Sequence, residues 1–380
     1  MSASSASAPT RTELELQTLQ RSGDLQVCTA AFFRQRVAER GLEEAYANTH
    51  VVVASDAGFT SQASVVLHLG PSEPPMRIER WRLGPAEAWG GHGNTDLVMP
   101  LHSGGAQALE QLLQGQRLPF SASGMASPQQ PRLELETQLS LGQIGAGQLL
   151  LHRGIGENGV VAVSSRDGLT PTPMGPVLGP LGSGLFSCGG AGSIGLTMPG
   201  LHSLGPGSPV LVAGALGWVS GAGAGHNPQV RRQASGHALS PGASCALAVD
   251  LHGLQQRWLR ACDQRQEGPG LLVAIAAPVP LLNLATARQA SCGNEQLQAP
   301  VLDYGIPRRV KPNLATVRYS QLLSGDLQLG AQRIRCAPAH SPRLAAEIAE
   351  ALAEQLRTGS FPLRLPLEAL PQRSALLPLE

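Results

Sequence analysis

The sequence predicts an α/β protein with a mixed sheet core, glycine-rich loops and flanking helices. Segments of helical periodicity alternate with buried, strand-like apolar runs along the 380 residues, and no segment repeats. Apolar residues make up 42% of the chain and mean hydropathy is close to zero, which indicates a large buried core. We expect a disordered tail over residues 1–11, one intertwined unit over 12–370 and a C-terminal tail over 371–380.

The first third of the chain passes from helix into strand. Residues 12–48 place apolar and charged side chains at helical spacing, with a stop at Gly23. Three adjacent valines make residues 49–55 a buried strand, and the following Asp-Ala-Gly sequence (56–58) is expected to form a loop. A short helix over 104–115 and an alternating strand over 131–141 come next.

The remaining elements follow from composition and periodicity. Residues 154–228, dense in Gly, Pro and Ser, predict short strands joined by tight loops. Residues 251–262 have the pattern of an amphipathic helix, and 270–280 return to a strand. The clearest helix spans 341–359, where a serine caps the first turn, a proline follows and a glycine ends it.

The charge balance argues against polyanion partners. The formal net charge is +1 and polybasic runs are missing, so we expect neither nucleic acid nor an acidic membrane as a partner. The longest apolar run, residues 271–282, is too short to span a membrane and contains two prolines. Without a charged segment followed by an apolar one at the N-terminus, we expect a cytoplasmic protein.

Bound cofactors are not expected either. The six cysteines are at least 17 positions apart, which excludes the spacings of iron–sulfur clusters and zinc knuckles, and the ten histidines show no ligand pair. A pyridoxal phosphate mechanism would require the single lysine, Lys311, which lies just after an arginine pair and directly before Pro312. We therefore predict neither a metal site nor a cofactor held by this chain.

Two glycine-rich stretches are candidates for a binding site. Residues 190–195 match the GxGxxG spacing, but Pro199 and Gly200 stop the helix that a dinucleotide site requires. The first glycine loop (187–193) and the second glycine loop (217–228) either bring backbone N–H groups close to an anion or form tight turns between strands.

Four residues of these loops are candidates for contact with a substrate: Gly190, Gly223, His226 and Asn227. His226 follows a run of glycines, where an imidazole is able to transfer a proton or to orient a substrate. The alternative is a histidine whose nitrogens are hydrogen-bonded to the backbone.

Five blocks of the sequence carry a family resemblance. In chain order they are GPSEPPMRI (70–78), GALGWVSGAGAGHNP (214–228), APVPLLN (277–283), VLDYGIPRR (301–309) and RLAAEIAEALAEQLRTGSF (343–361). Together they resemble the homocysteine-biosynthesis family, whose members are L-aspartate semialdehyde sulfurtransferases. The resemblance covers residues 12–370.

The resemblance implies a sulfur insertion. Sulfide sulfur enters aspartate semialdehyde to give homocysteine without pyridoxal phosphate, in agreement with the scarcity of lysine. Addition of sulfur to the aldehyde gives a thiohemiacetal, loss of water gives a thioaldehyde, and two electrons are then needed to reach the thiol. An external electron donor is therefore expected, and the family implies a ferredoxin-type protein or a sulfur carrier as partner.

The sequence departs from the family at two cysteines. The family places one cysteine in a Gly-x-x-Cys-Ser-Ser stretch and another in a Gly-x-x-Cys loop, where this chain has Ser61 and Ser127. A hydroxyl forms no persulfide, so sulfide attacks the substrate directly, another thiol substitutes, or the retained site has a different reaction. Cys188, in the first glycine loop, is the candidate substitute.

Three cations lie within residues 301–312. Arginine forks suit the carboxylate of an amino acid, which makes Arg308 and Arg309 candidate substrate-binding residues. Asp303 either pairs with one of them or faces the substrate amine, and Tyr304 closes the site or packs against its neighbours. The alternative is a surface turn that holds solvated cations and an Asp–Arg pair.

The leading prediction is a sulfurtransferase acting on a small carboxylate metabolite. One alternative is a non-catalytic or repurposed paralogue that binds such a metabolite. Another is acyl or CoA transfer, suggested by the glycine loops, although no carboxylate nucleophile is identified. The oligomeric state is left open, with a homo-oligomer as one alternative.

Overall fold

A computed structural model describes residues 10–90, 94, 96–264 and 268–376. Over these residues the chain forms mixed β-sheets with helices packed against them, which confirms the predicted α/β class. The first nine residues of the predicted N-terminal tail lie outside the described residues, and Arg11 donates hydrogen bonds to three backbone carbonyls.

The described residues form eight α-helices: α1 Glu13–Ser22, α2 Ala30–Arg40, α3 Leu42–Ala47, α4 Ala106–Leu113, α5 Ile194–Thr197, α6 Leu284–Ala290, α7 Tyr319–Leu323 and α8 Pro342–Arg357. Local signals account for their ends. A capping box between Thr12 and Glu15 begins α1, and Gly23 in the left-handed conformation ends it. Gly41 separates α2 from α3, and the hydroxyl of Ser341 caps α8 as predicted.

The strands of the described residues are β1 Val27–Thr29, β2 Val51–Thr60, β3 Ala63–His68, β4 Ile78–Leu83, β5 Ala86–Trp89, β6 Leu97–Pro100, β7 Leu118–Gly124, β8 Glu134–Leu139, β9 Ala146–Gly156, β10 Val161–Val163, β11 Gly168–Thr170, β12 Val177–Gly179, β13 Ser183–Phe186, β14 Pro209–Val212, β15 Ala215–Ala222, β16 Ser244–Asp250, β17 Leu259–Gln264, β18 Gly268–Pro280, β19 Gln298–Asp303, β20 Asn313–Arg318, β21 Asp326–Leu329 and β22 Gln332–Pro338. Single turns of 3₁₀ or π helix occur at Leu101–Gly105, Leu141–Gln143, Pro199–Leu201, Leu251–Gly253 and Gln256–Trp258.

The large sheet runs in the order β1-β2-β18-β14-β15-β16-β9-β3-β6-β5-β4-β7-β8, with β17 also paired to β18. Five strands separate β2 from β3, yet only residues 61 and 62 connect them. A two-residue connection spans roughly 10 Å between the end of β2 and the start of β3. In a flat sheet these two strands would be six inter-strand spacings apart, or about 29 Å. The sheet must therefore bend until the end of β2 and the start of β3 are close.

The small sheet runs in the order β20-β19-β10-β13-β22-β21, and β11 pairs with β12 in a separate ribbon. Its strands enclose a second hydrophobic core that includes Val161, Phe186, Val301 and Leu322. The main core lies against the large sheet, where α8 covers β2 and β18. The i, i+4 stripe predicted for α8 is buried there, and each such side chain contributes roughly 1.5–3 kcal/mol.

Two predicted elements are wrong, both because strand pairing outweighs the local pattern. The strand predicted over 49–55 continues to Thr60, so the Asp-Ala-Gly sequence at 56–58 is strand and not loop, paired with β18 from Val51 to Thr60. Residues 251–262 form two 3₁₀ turns and the start of β17 in place of a helix, since Leu259 and its successors pair with β18.

Candidate functional site

Five polar side chains meet at one edge of the small sheet. β13 and β22 are parallel, so Cys188 and His340, which follow them, lie at the same edge. β10 is antiparallel to β13 and parallel to β19, so the starts of β10 and β19 lie at that edge. Asn158 precedes β10 and Asn294 precedes β19, which brings both side chains there. β20 is antiparallel to β19, so Tyr319 follows it there. We call these five residues the thiol edge.

Cys188 lies in the first glycine loop with several hydrogen-bonding groups around its sulfur. The thiol donates to the hydroxyl of Ser193 at 3.2 Å, and the Tyr319 hydroxyl and the Gly190 N–H also reach the sulfur. Gly159 is needed for close packing, because a Cβ there would lie 2.5 Å from the Cβ of Cys188. The Cys188 residue is half-buried, and its thiol is packed among these neighbours.

Asp56 of β2 brings a carboxyl from the large sheet to the thiol edge. Its Oδ2 accepts a hydrogen bond of 3.0 Å from the N–H of Ile194. Burial raises the pKa of Asp56 to about 6, and the Ile194 hydrogen bond offsets part of that increase. Asp56 is therefore able to accept and release a proton near neutral pH. Burial, and then the charge of Asp56, raise the pKa of the Cys188 thiol, so this thiol is protonated at neutral pH.

Tyr319 and Asn158 hold the base of the site rigidly. The buried Tyr319 hydroxyl donates to Oδ1 of Asn158 at 2.6 Å, and Oδ1 also accepts from the N–H of Gly159. The Asn158 amide nitrogen donates to two backbone carbonyls, which uses all of its hydrogen-bonding capacity. Burial and the neighbouring Cys188 raise the pKa of Tyr319, so the phenol stays protonated and remains a donor.

Arg34 of α2 brings a positive charge to the first glycine loop. Its Nη2 donates to the carbonyl of Ala191 at 3.2 Å, whereas Nη1 is shielded from solvent and has no hydrogen-bond partner among the described residues. Both nitrogens lie 3.4 Å from the position that a Cβ on Gly192 would take. Burial lowers the pKa of Arg34, but a guanidinium remains charged at neutral pH. This unpaired nitrogen is available to a carboxylate.

His340 reaches the thiol edge from the segment between β22 and α8. Its ring packs edge-on against Phe186, with ring centroids 5.5 Å apart. Both ring nitrogens are shielded from solvent and have no hydrogen-bond partner within the part of the chain that the structure describes. Burial lowers the pKa of His340, and the Phe186 backbone opposes the decrease only in part, so the ring is neutral at neutral pH.

A buried ion pair supports the thiol edge from behind. Glu157, next to Asn158, is fully buried, and its carboxylate accepts hydrogen bonds from Nη1 and Nη2 of Arg232. The same carboxylate accepts backbone N–H groups from Gly200 at 2.6 Å and Ala243 at 2.9 Å. Every polar atom of this carboxylate is used by the protein, so Glu157 orders the loops and is not available to a substrate.

The two serines that the family resemblance places at cysteine positions lie outside the thiol edge. Ser61 is exposed in the turn after β2, five residues beyond Asp56 along an extended strand, which is a separation of about 16 Å. Ser127 is exposed in a turn beyond β7, where its N–H donates to the carbonyl of Gln130 at 2.9 Å. No contact in the described residues brings either hydroxyl to Cys188.

The predicted carboxylate-binding residues lie at the opposite edge of the small sheet. β19 carries the chain from the thiol edge to Asp303 over six residues, about 17 Å. Arg308 and Arg309 are exposed there, and Arg309 donates to the carbonyl of Leu376 at 3.0 Å. Asp303 is buried, and its Oδ1 accepts two backbone N–H groups and no arginine.

Tyr304 and Lys311 share this opposite edge. The ammonium of Lys311 lies 5.3 Å from the centroid of the Tyr304 ring and donates to the carbonyl of Ile306 at 3.0 Å. Burial favours a higher pKa for Asp303, but hydrogen bonds from Ser165 and Gly305 and the charge of Lys311 outweigh it, and the pKa is lowered. The exposed arginines agree with the alternative of a surface turn, but among the described residues Asp303 forms no ion pair with an arginine, so that part of the alternative is wrong.

His226 in the second glycine loop is fully hydrogen-bonded. The residue is completely buried, Nε2 lies 2.8 Å from the carbonyl oxygen of Pro371, and Nδ1 lies 3.1 Å from both the carbonyl oxygen and the N–H of Ser244. These contacts correspond to a histidine satisfied by the backbone.

The other two candidates of the second glycine loop also contact the backbone. A Cβ on Gly223 would lie 2.9 Å from the carbonyl oxygens of His152 and Cys245, so glycine is needed for this packing. The N–H of Asn227 donates to the carbonyl of Gly242 at 3.0 Å. Of the predicted site residues, only Cys188 and Gly190 belong to the first glycine loop and lie near the thiol edge.

Within the described ranges, no three His, Cys, Asp or Glu residues are grouped as metal ligands would be. In the same part of the chain, no helix is long and apolar enough to cross a bilayer.

Comparison with known proteins gives the family. Residues 25–363 match the family described as "Homocysteine biosynthesis enzyme, sulfur-incorporation". The chain belongs to this family. The match confirms the resemblance inferred from the five sequence blocks, and it includes every residue of the thiol edge.

Two curated members resemble this chain along most of its length. An L-aspartate semialdehyde sulfurtransferase of Methanosarcina acetivorans is 28% identical over 357 residues, which cover 92% of this chain and 69% of that protein. An L-aspartate semialdehyde sulfurtransferase of Methanocaldococcus jannaschii is 26% identical over 377 residues, which cover 92% and 71%. The family and these names support a transferase enzyme of homocysteine biosynthesis. No solved structure matches the chain significantly.

The sequence analysis did not select Asp56, Tyr319, Arg34 or His340 as site residues. They are separated by tens to hundreds of positions and share no local spacing. A weak signal was present at Asp56, an acid at the end of an apolar run. The remaining positions become visible only through strand order, because the parallel and antiparallel pairings decide which strand ends meet.

Proposed function

We propose that this chain incorporates the sulfur of sulfide into the aldehyde group of L-aspartate semialdehyde, or of a closely related small carboxylate, without pyridoxal phosphate. The observation that carries this proposal is the Cys188 thiol, whose pKa is raised by burial and by the charge of Asp56, together with that carboxyl, whose pKa of about 6 suits proton exchange at neutral pH. The substrate comes from the names of the two curated relatives.

The overall reaction consumes one aldehyde, one hydrogen sulfide, two electrons and two protons, and it yields one thiol and one water. Sulfide adds to the carbonyl carbon, the oxygen leaves as water, and the resulting thioaldehyde takes up the electrons. An external electron donor is part of the proposal. We propose a ferredoxin-type protein for this role, because the cysteines of this chain are too dispersed to hold a cluster of their own.

Arg34 is the proposed carboxylate-binding residue. Its unpaired Nη1 lies against the same glycine loop as Cys188, and an amino acid carboxylate supplies the partner that this nitrogen lacks. Arg308 and Arg309 are separated from Cys188 by the length of β19, which is longer than a four-carbon substrate. We therefore prefer Arg34 over the arginine pair for this role.

Cys188 is the proposed sulfur carrier when the donor is a persulfide. Its thiolate attacks the outer sulfur of the donor and releases the donor as a thiol, which leaves a persulfide on Cys188. Asp56 takes the thiol proton, since burial keeps that thiol protonated otherwise. Transfer from the persulfide needs two further electrons to cleave the sulfur–sulfur bond, whereas free sulfide adds to the aldehyde directly.

Independence from pyridoxal phosphate has a structural argument. The single lysine of the chain lies at the edge opposite Cys188, and its ammonium is engaged with the carbonyl of Ile306. A Schiff base formed there would leave the cofactor far from Cys188 and Asp56.

The test is homocysteine formation by the purified chain. The protein receives L-aspartate semialdehyde, titanium(III) citrate as reductant, and either sulfide or inorganic polysulfide, and homocysteine is measured by mass spectrometry after thiol alkylation. We expect product with both donors. The C188S variant is expected to lose about a hundredfold or more in rate with polysulfide and to retain more activity with sulfide.

Three variants serve as controls in the same assay. Cys262 is also a half-buried free cysteine and lies in β17 of the large sheet, so C262S matches C188S in chemistry at a distance from the thiol edge. S61A and S127A alter the exposed serines at the family's cysteine positions. All three are expected to react like the parent protein. No homocysteine from the parent protein with either donor would overturn the proposal.

A further inference from the structure

His340 is half-buried, with both ring nitrogens shielded from solvent, and it differs from the two buried histidines of the described residues. His226 and His237 each have both ring nitrogens in hydrogen bonds, with partners that include Pro371 and Leu196. Both nitrogens of His340 lack a partner within the described residues, although they are shielded from water. A buried imidazole in this condition costs free energy unless a ligand supplies the missing bonds.

The surroundings of His340 indicate where such a ligand enters. Nε2 lies 3.4 Å from the position that a Cβ on Gly189 would occupy, so the missing side chain of Gly189 leaves room for one atom beside the ring. Gly189 directly follows Cys188, and both residues are partly exposed. A substrate oxygen that enters over Gly189 would meet Nε2 next to the sulfur-handling loop.

The backbone fixes this position from two sides. His340 forms a β-bridge with Gly58, two residues beyond Asp56, and its ring packs against Phe186, two residues before Cys188. The ring is therefore held between the two segments that carry the carboxyl and the thiol.

We propose that His340 is the catalytic residue that moves protons from the incoming sulfur to the departing oxygen of the substrate aldehyde. This inference rests on the proposed sulfur incorporation and names a residue role within it. The ring in its neutral form is the state that such a role requires, since it must first accept a proton.

The proton balance of the two steps supports one shuttle. In the first step the sulfur of hydrogen sulfide bonds to the aldehyde carbon, the carbonyl π bond breaks, and one proton passes from sulfur to oxygen. In the second step the carbon–oxygen bond breaks, a carbon–sulfur double bond forms, and the second sulfur proton passes to the same oxygen, which leaves as water. Each step begins and ends with a neutral imidazole, and neither step consumes electrons.

The test is chemical rescue in the full-length chain. H340A is expected to lower kcat at least about a hundredfold in the sulfide assay, with a smaller change in KM. Added imidazole fills the vacated space and should restore activity about tenfold or more, in proportion to its unprotonated concentration. Pyrazole has the same size and far weaker basicity, so it should not restore activity.

A second variant tests the entry over Gly189 without removing the imidazole. G189A would place a methyl group 3.4 Å from Nε2, in the space assigned to the substrate oxygen, and Gly189 has no left-handed backbone conformation that would forbid alanine. We expect the melting temperature of G189A to equal that of the parent protein, while kcat/KM falls about tenfold or more.

The outcomes separate this inference from the proposed function. If the parent protein forms homocysteine and H340A reacts at the parent rate, the shuttle is wrong and sulfur incorporation stands. Equal rescue by imidazole and pyrazole would reduce His340 to a packing residue. If the parent protein forms no homocysteine, the proposed function fails before the variants are compared.

Discussion

In the first glycine loop the Cys188 thiol lies near a carboxyl, a phenol and an imidazole, whereas in the second glycine loop the His226 imidazole contacts only backbone. Both stretches are rich in glycine, but the first follows β13, whereas residues 217–222 of the second belong to β15 and only 223–228 form a loop after it. In the first, Gly190 with a φ of 79° brings the chain within contact of Asn294 and Tyr319. In the second, Gly223 allows the chain just after β15 to pack closely against the backbone carbonyls of His152 and Cys245. A glycine-rich loop therefore becomes a reactive site only when other segments of the chain place functional side chains beside it. The composition of the two loops alone does not show which of them is such a site.

The largest expected effect concerns Asp56, the acid that gives the first glycine loop its proton acceptor. D56N keeps the shape of the side chain and a hydrogen-bond acceptor for the N–H of Ile194, but it removes the titrating group. We expect homocysteine formation to fall by about a hundredfold or more at pH 7, because general acid–base catalysis is worth that much. The parent rate should rise with pH through about pH 6, and D56N should lack this rise. A parent pH profile retained in D56N would assign the proton transfer to another group.

The same substitution should increase stability above pH 6. Asp56 has a pKa of about 6 in the folded chain against an ordinary 3.8, so folding opposes its ionisation. Well below pH 3.8 both states are protonated and the two proteins should unfold alike. Between about pH 3 and 6 the parent loses stability as the unfolded chain ionises first, and above pH 6 the difference is constant at about 3 kcal/mol. Urea unfolding at about pH 3 and about pH 8 measures both limits.

The parts of the fold that were predicted correctly are those with local causes. Thr12 and Ser341 cap helices because their hydroxyls reach N–H groups three residues on, and Gly23 ends α1 through its own conformation. The prediction failed at residues 251–262, where β18 supplies a pairing partner across the sheet. It failed at Asp56 for the same reason, since β18 extends the strand past it.

The candidate site was predicted only in part, because its residues meet through topology. Cys188 and Gly190 were selected from one loop that has a recognisable composition. Asp56 lies in β2, Tyr319 follows β20 and His340 follows β22. The order and direction of these strands cannot be predicted from local sequence patterns. The arginine pair of residues 308–309 was a sound chemical candidate for carboxylate binding. Its place at the far end of β19 follows from the parallel pairing of β10 with β19.

The second glycine loop is expected to respond to substitution through stability alone. H226A removes a buried ring that bonds to Pro371 and Ser244, and it leaves those backbone groups unpaired. We expect a loss of about 2–4 kcal/mol in the free energy of unfolding, with homocysteine formation per folded molecule unchanged. The exposed His202 offers a control, since H202A should change stability by about 0.5 kcal/mol or less. A stable but inactive H226A protein would make the second glycine loop part of the active site.

The smallest expected effect shows which edge of the small sheet binds the substrate carboxylate, the thiol edge near Arg34 or the opposite edge near Arg308. R34Q removes the guanidinium beside Gly192 but retains an amide that is able to donate to the carbonyl of Ala191. We expect KM for the aldehyde substrate to rise about tenfold, or 1.4 kcal/mol, with kcat within about twofold, because the lost interaction is made equally before and during reaction. R308Q removes an exposed arginine at the opposite edge and should leave both constants unchanged. A higher KM in R308Q together with an unaffected R34Q would move the substrate carboxylate to the far edge of the small sheet, and the thiol of Cys188 would then be too distant to act on the same molecule.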